Sequence, residues 1–464
     1  MNGGKRDDSL ATSHDVSDCA ESPYPQVLVI NGRAINSLSN LGITFSSLFE
    51  GWPLDRIAQV HMDDSDPSPE ICRRFWRLSS DDVPLVNALR RIIKRNRKAI
   101  LGGNATGLPR GSGLAASGQR RRLAELLTSA AYAWADILPY HVESNFWRWV
   151  EELKPDVVFS ALGGVRIMDL VLKVAKRLQI PVVPFFCDDW PSTHYRNNVF
   201  SSVPRALLLR RIRDVMEQCP VGTGGSFSLA EEYGTRYGVP FEGFMACVET
   251  PEEFPTHPSL ASDATVRIVY VGGLHLNRWQ SIQEVGQASL KLRDEGVNVE
   301  TTVYAPASDL AAYAKQLEMP PVLRIGGSLA AREVLPVMRN ADILLHVESF
   351  DANVRQYTRL SLSTKIPQYM STGRPILAYG PGEVASCRYI QESACGRVVG
   401  TADQSLMTAV LRDLATNVSM RADLGRCGWD VARKRHSKAV VHDHFRNVLL
   451  EASRAKPRHS ANLV

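Results

Sequence analysis

The sequence predicts an α/β protein of two domains, each built on a parallel sheet wound on both faces by helices. Three observations carry that reading. The chain has 464 residues, more than one hydrophobic core usually organises, so two domains are the default. Residues 154–191 run KPDVVFSALGG, then MDLVLKVAKRLQ, then IPVVPFFCDDWP, which is strand, helix and strand within about 35 residues, the length of a βαβ unit. The segment TPEEFPTHPSLASDAT at 250–265 carries three prolines and separates that half from VRIVYVGG at 266–273, a fresh strand ending on a Gly-Gly turn.

Composition narrows the class. Hydrophobic content of 44% and charged content of 22% describe an ordinary globular protein, and a net charge of +5 gives no argument for nucleic acid. Residues 1–22 contain no apolar core segment of a secretory signal, and no apolar run approaches the roughly 20 residues of a spanning helix, so the expected location is the cytoplasm. Eight cysteines, at 19, 72, 187, 219, 247, 387, 395 and 427, show no C-x-x-C spacing. That disfavours zinc or a redox pair and fits isolated reduced thiols.

The first domain opens on QVLVI at 26–30, an apolar run suited to a buried parallel strand. Asn31 and Gly32 follow, and the chain passes Asn40 and Gly42 into a helix, ITFSSLFEGW. A turn and helix start at a strand's carboxyl end is where open α/β sheets place ligands, although an ordinary βα turn reads the same way. A second strand is expected at 56–62. In LVNALRRIIKRNRKAI, 85–100, apolar residues share one helical face and six Lys or Arg occupy the others. Such a helix either lies on anionic lipid or packs on the sheet with a solvated face. The Gly, Ser and Arg-rich residues 102–122, with Arg110, Arg120, Arg121 and Arg122, read as a mobile loop.

Helices at 123–138 and 142–153 precede the βαβ unit, whose second strand ends on Asp188 and Asp189. Two adjacent carboxylates there can orient hydroxyls, act as base or balance developing positive charge; capping the following helix is the structural alternative. His194 lies a few residues on. A helix from 205, a strand and turn at 219–226, the helix AEEYGTRYG and a short strand lead to the linker. The second domain offers the strand and turn through Gly272 and Gly273 into a helix from Arg278, then strands at 300–304 and 322–325 and a helix at 331–339. ADILLHV at 341–347 is another buried strand, ending at Glu348.

The most informative stretch is SLSTKIPQYMSTGRPILAYGP, 361–381. Hydroxyls of Ser361, Ser363 and Thr364 precede a short helix, Gly373 stops it, and a buried strand follows. Helix start and Lys365 together attract an anion, for which phosphate is the natural guest. The pattern S-T-K-x-x-Q-Y-M-x-x-G-R-P-I-L-A resembles the nucleotide-sugar site of retaining GT-B glycosyltransferases, especially the family 4 type of bacterial polysaccharide assembly. Gln368 stands where that family carries a ribose-binding carboxylate, and Leu360 stands where its earlier Glu falls.

The resemblance implies two Rossmann-like domains facing across a cleft. Their expected bounds are a disordered tail 1–24, an acceptor domain 25–255, a donor domain 256–435, a helix 436–455 crossing back to the first domain, and a disordered tail 456–464. It implies transfer of a sugar from a nucleoside diphosphate to an acceptor hydroxyl, on a lipid-linked oligosaccharide in exopolysaccharide or surface polysaccharide synthesis. Catalytic roles fall on Asp188, Asp189, Arg278 and Lys365. Donor contacts fall on Gly272, Gly273, Arg278, Gly326, Glu348, Ser363, Thr364, Lys365 and Gln368. Acceptor-side positions are Asn31, Gly32, Asn40, Gly42 and His194. No cofactor or metal is expected, nor any nucleic acid partner, and the basic region 85–122 implies peripheral contact with an anionic membrane. Nucleotide-sugar epimerases share the architecture, and the Leu360 and Gln368 departures also admit an inactive assembly partner.

Overall fold

The structure is a computed structural model and describes residues 22–36, 40–79, 82–83, 118–196, 198–255 and 265–455. Its first sheet comprises β1 (Val27–Ile30), β2 (Ile57–His61), β3 (Arg74–Arg77), β4 (Val157–Ser160), β5 (Val182–Phe186), β6 (Gly222–Gly224) and β7 (Phe241–Gly243). The second comprises β8 (Val266–Val271), β9 (Val299–Tyr304), β10 (Leu323–Gly327), β11 (Ile343–Val347), β12 (Ile376–Tyr379) and β13 (Gly396–Val399). Strand order is β3-β2-β1-β4-β5-β6-β7 in one and β10-β9-β8-β11-β12-β13 in the other. All registered pairs are parallel. Both sheets are therefore doubly wound, with order reversing between β1 and β4 and between β8 and β11. Ligands of such sheets bind at those reversals, outside the strands' carboxyl ends.

Side-chain alternation explains why each sheet is covered twice. Leu28 and Ile30 point into one core with Met168 and Val171 of the helix Val165–Leu178, while Val27 and Val29 point into another with Phe45 and Phe49. The second sheet divides likewise, Ile268 and Leu345 to one face and Val269 and Leu344 to the other. The last helix, Lys438–Arg454, joins the first domain: Val441, Phe445 and Leu449 enter its core, with the Phe445 ring 5.1 Å from Phe49. The chain thus passes between the lobes twice, and Val248 pairs with Ser437 where the two passages meet.

Elements with no counterpart among those expected from the sequence include β3 and the helices Ala307–Leu317, Ala352–Thr358 and Ala385–Glu392. β3 is a four-residue edge strand, RFWR, half-exposed and flanked by arginines, so it lacks the apolar run of a central strand. ANVRQYT is too short and polar to display a helical period. The helix expected from 123 starts at Gly118 and takes in Arg120–Arg122, which the composition places in the loop. The segments 84–117 and 256–264 and both tails lie outside the described residues, so the basic amphipathic reading of 85–100 is not addressed. Among the described residues no helix is long and apolar enough to cross a membrane.

Candidate active site

The reversal between β8 and β11 is where the second lobe gathers charge. After β8 the Tyr270 hydroxyl donates to the Gly273 carbonyl at 2.6 Å, and Leu274 N donates to Asp309 Oδ2 at 2.7 Å, shaping a tight turn. Leu276 and Asn277 both take φ of 59°, and the helix Arg278–Asp294 begins. Arg278 Nη2 then lies 3.4 and 3.3 Å from the two carboxylate oxygens of Glu348, the residue after β11. Glu348 is 2% exposed, and its backbone carbonyl accepts from Ser281 Oγ at 2.9 Å.

Burial alone would push the Glu348 carboxyl up, but the Arg278 guanidinium and His346 hold it below the ordinary range. His346 Nε2 lies 3.3 Å from Glu348 Oε1, outside hydrogen-bond geometry. Burial likewise opposes the charge on Arg278, and Glu348 outweighs it. The guanidinium is not fully used. Its Nε is buried and has no partner among the described residues.

Lys365 opens the helix Lys365–Ser371, which runs back toward the start of β12 and so places its first residue at the sheet's carboxyl edge. Lys365 Nζ donates to Gln368 Oε1 at 3.2 Å, and burial lowers its pKa. Ser363 Oγ accepts from Lys365 N at 3.4 Å, and Ser363 N donates to Ser386 Oγ at 3.1 Å. Thr364 is exposed and makes no side-chain cap. The helix has seven residues. Arg278 and Lys365 therefore share the carboxyl edge but keep separate partners, Glu348 and Gln368.

Across the cleft, the two carboxylates after β5 have opposite environments. Asp189 turns into its own domain: Oδ1 accepts from Tyr233 Oη at 2.7 Å, Arg236 Nη1 at 2.7 Å and Ser192 Oγ at 2.8 Å. Burial pushes its pKa up, and those donors more than reverse the effect. Asp188 turns to the second lobe. Its Oδ1 accepts from Ser361 Oγ and its Oδ2 from Tyr357 Oη at 3.3 Å. Burial raises its pKa, and neither these hydroxyls nor the Arg278 charge cancels the rise.

Around Asp188 the lobes are clasped. Leu360, 3% exposed, is buried in the first domain's core cluster beside Leu229 and Trp190 although it belongs to the second domain. Ser226 Oγ accepts from Leu229 N at the start of the helix Phe227–Tyr237 and donates to the Leu360 carbonyl at 2.6 Å. Arg359 Nη2 lies 3.5 Å from Glu232 and 3.7 Å from Asp189, and Arg388 Nη2 donates to Ser228 Oγ at 2.7 Å. Tyr357, Arg359 and the apolar role of Leu360 are not recognisable in the sequence, because each acquires meaning from a partner more than 100 residues away.

The other expected positions are dispersed. Asn31 is buried, and its Oδ1 accepts from Gln59 Nε2 at 2.8 Å, while Gly32 lies 3.5 Å from Ile167 at the place a Cβ would occupy. Asn40 is the first residue of the helix Asn40–Phe49, which includes Gly42. The His194 ring packs edge-on against Trp190 at 5.5 Å, and its carbonyl accepts from Arg205 at 2.8 Å. Gly326 sits in edge strand β10, where a Cβ would meet the Tyr304 ring at 2.4 Å. No group of three or more potential metal ligands occurs among the described residues.

The sequence matches no protein-family model and no curated protein. Solved structures do match. HepE of Anabaena, in complex with UDP, aligns over 92% of this chain and 100% of its own, at 11% identity and a TM-score of 0.59. WaaG, a glycosyltransferase involved in lipopolysaccharide biosynthesis, aligns over 90% of this chain and 98% of its own, at 12% identity and a TM-score of 0.52. Sucrose-phosphate synthase of Thermosynechococcus elongatus aligns over 92% and 98%, at 11% identity and 0.55. The chain has the GT-B glycosyltransferase fold, as the 361–381 resemblance implied.

Proposed function

We propose that the protein is a glycosyltransferase that moves a sugar from a nucleoside diphosphate sugar to an acceptor hydroxyl with retention of anomeric configuration. One observation carries this reading: Arg278 is a partly buried guanidinium at the β8/β11 reversal, near enough to Asp188 for each to feel the other's charge, and its buried Nε has no partner among the described residues. A preorganised cation in a water-poor crevice stabilises a departing diphosphate, and such electrostatic stabilisation usually supplies the greatest share of the rate enhancement. Lys365 adds the second positive charge, with Gly272, Gly273, Ser363 and Thr364 lining the phosphates, Gln368 at the ribose, Gly326 beside the base and Glu348 toward the sugar. In the reaction the acceptor oxygen bonds to C1 from the same face that the diphosphate leaves, as the C1–O bond to the diphosphate breaks, so the anomeric configuration is kept. That bond's electron pair leaves with the diphosphate, and the acceptor proton passes to Asp188. A carboxylate whose pKa is raised is the better base for that step.

HepE has been captured with UDP and with UDP-glucose, so uridine nucleotides are the first donors to try. Purified protein incubated with a panel of UDP- and GDP-sugars is expected to hydrolyse one donor slowly, or transfer its sugar when acceptor is present. Formation of an epimer instead would mark an epimerase. Calorimetry is expected to show UDP or GDP binding that Arg278→Ala and Lys365→Ala each weaken about tenfold or more. Unchanged affinity in both variants would overturn the site. The second reading, an assembly partner without turnover, is favoured by Leu360, which occupies a carboxylate position of the resembled family yet is buried in the opposite lobe. Nucleotide binding without any turnover would select it.

The acceptor under this proposal is a lipid-linked oligosaccharide, met by a protein resting on the inner face of the plasma membrane. The basic residues of 85–122 support it, as do Leu127, Tyr132, Phe200 and Val203, each at least half exposed on or beside the helix Gly118–Asp136. Cosedimentation with phosphatidylglycerol vesicles and not with phosphatidylcholine vesicles is the expected result.

A further inference from the structure

A cavity of about 420 Å³ lies where the chain returns from the second lobe to the first. Its apolar side is made by Phe227, Phe244, Val440 and Val441. Two of these, Phe227 at 42% and Val440 at 44% exposed, present far more surface than core residues do. Lys434, Arg435 and His444 supply the polar side. Among the described residues no carboxylate pairs with Lys434 or Arg435, and Glu242 alone pairs with His444, at 3.3 Å. The cavity lining therefore combines apolar and cationic side chains.

Its position in the chain is unusual too. The two bases belong to a π-helical turn, Ala432–His436, inserted between the helices Val418–Val431 and Lys438–Arg454. Such turns are rare and recur at functional sites. The turn is anchored by His436, which also lines the cavity and whose ring nitrogen lies 2.6 Å from the Tyr389 hydroxyl. Phe244 and Met245 are neighbours in sequence and both line the cavity, yet Phe244 packs in the first domain's core and Met245 in the second's. The cavity straddles the crossover itself.

We infer that this cavity binds an amphipathic anion, an alkyl chain ended by a phosphate, with the chain against Phe227 and Val440 and the charge on Lys434 and Arg435. The volume falls in the range of about 300–1,000 Å³ of small-molecule sites, and burying the apolar surface while pairing the bases satisfies both ends at once. The inference does not rest on the transferase reading.

Calorimetry on the full chain with decyl phosphate below its micellar concentration tests it, with decanol and inorganic phosphate as separate arms. One saturable site is expected, about tenfold or more tighter for decyl phosphate than for either half-ligand. Val440→Trp, which fills the apolar lining from an exposed position, and Lys434→Ala with Arg435→Ala, which removes the bases, are each expected to weaken binding about tenfold with the unliganded melting temperature unchanged. Equal affinity for decanol and decyl phosphate would overturn the inference, as would variants that bind like the parent. Vesicles containing phosphatidic acid separate the two sources of such an anion. Binding to the vesicles without a saturable site for free decyl phosphate would make this a membrane surface and reject the cavity.

Discussion

Asp188 and Asp189 are adjacent residues of one kind, and their surroundings drive their acidities apart. Asp189 contributes stability that is present above the ordinary Asp value of 3.8 and lost as pH falls through its depressed folded value. Glu348, depressed from 4.5, behaves the same way. Asp188 has the opposite sign: its folded pKa is raised, so ionising it costs stability, a cost absent below 3.8 and complete once pH has risen past the folded value. Asp189→Asn is therefore expected to cost about 2 kcal/mol at pH 7, since Arg236 loses one of its two charged partners and keeps only Glu232 among the described residues. Asp188→Asn should leave stability at pH 7 unchanged or higher. Denaturant unfolding of both variants from pH 4 to 8 checks the pair, and equal losses would refute the assignment. For the partly buried Arg278 and the buried Glu348, truncating either to Ala should cost about 3 kcal/mol, whereas Arg278→Met with Glu348→Leu should cost less than either single change. A double-mutant cycle on melting curves reads that coupling.

At the scale of elements, the Lys365–Ser371 helix shows how closely the site is built into the sheet. Gly373, at φ 68°, ends the helix in the left-handed region that a side chain resists. The Gly373 carbonyl lies against Gly425 of the helix Val418–Val431, where a Cβ would come within 2.1 Å of that oxygen. The obstruction is backbone, so it cannot rotate away. Gly425→Ala is expected to cost about 2 kcal/mol by forcing the two helices apart, measured as a lower melting temperature. A neutral result would show that the helix can shift freely. Gly373, the strand–turn–helix at Gly272–Arg278 and the apolar runs of β1, β4, β5, β11 and β12 were all legible in the sequence, because each is a local pattern of residue type and spacing. β3 and the helix Ala352–Thr358 were not, because their stability comes from neighbours rather than from their own periodicity.

At the scale of the whole molecule, the clasp from Tyr357 to Ser361 sets how the lobes face one another. Leu360→Asp would place a carboxylate inside the first domain's apolar core cluster. The lobes are expected to separate, increasing the radius of gyration in solution scattering while circular dichroism stays unchanged. An unaltered scattering profile would mean that the clasp does not hold the lobes together.

The sequence by itself determined two doubly wound domains, the strand end that carries Asp188 and the helix starts that carry Arg278 and Lys365, since apolar runs, glycine turns and helix starts act over a few residues. Only the tertiary structure decided that Arg278 pairs with Glu348, that Asp188 and Asp189 face opposite ways, and that Leu360 is buried in the other lobe. Those outcomes depend on burial and on charges brought together from distant parts of the chain, and a linear pattern does not specify how two lobes close.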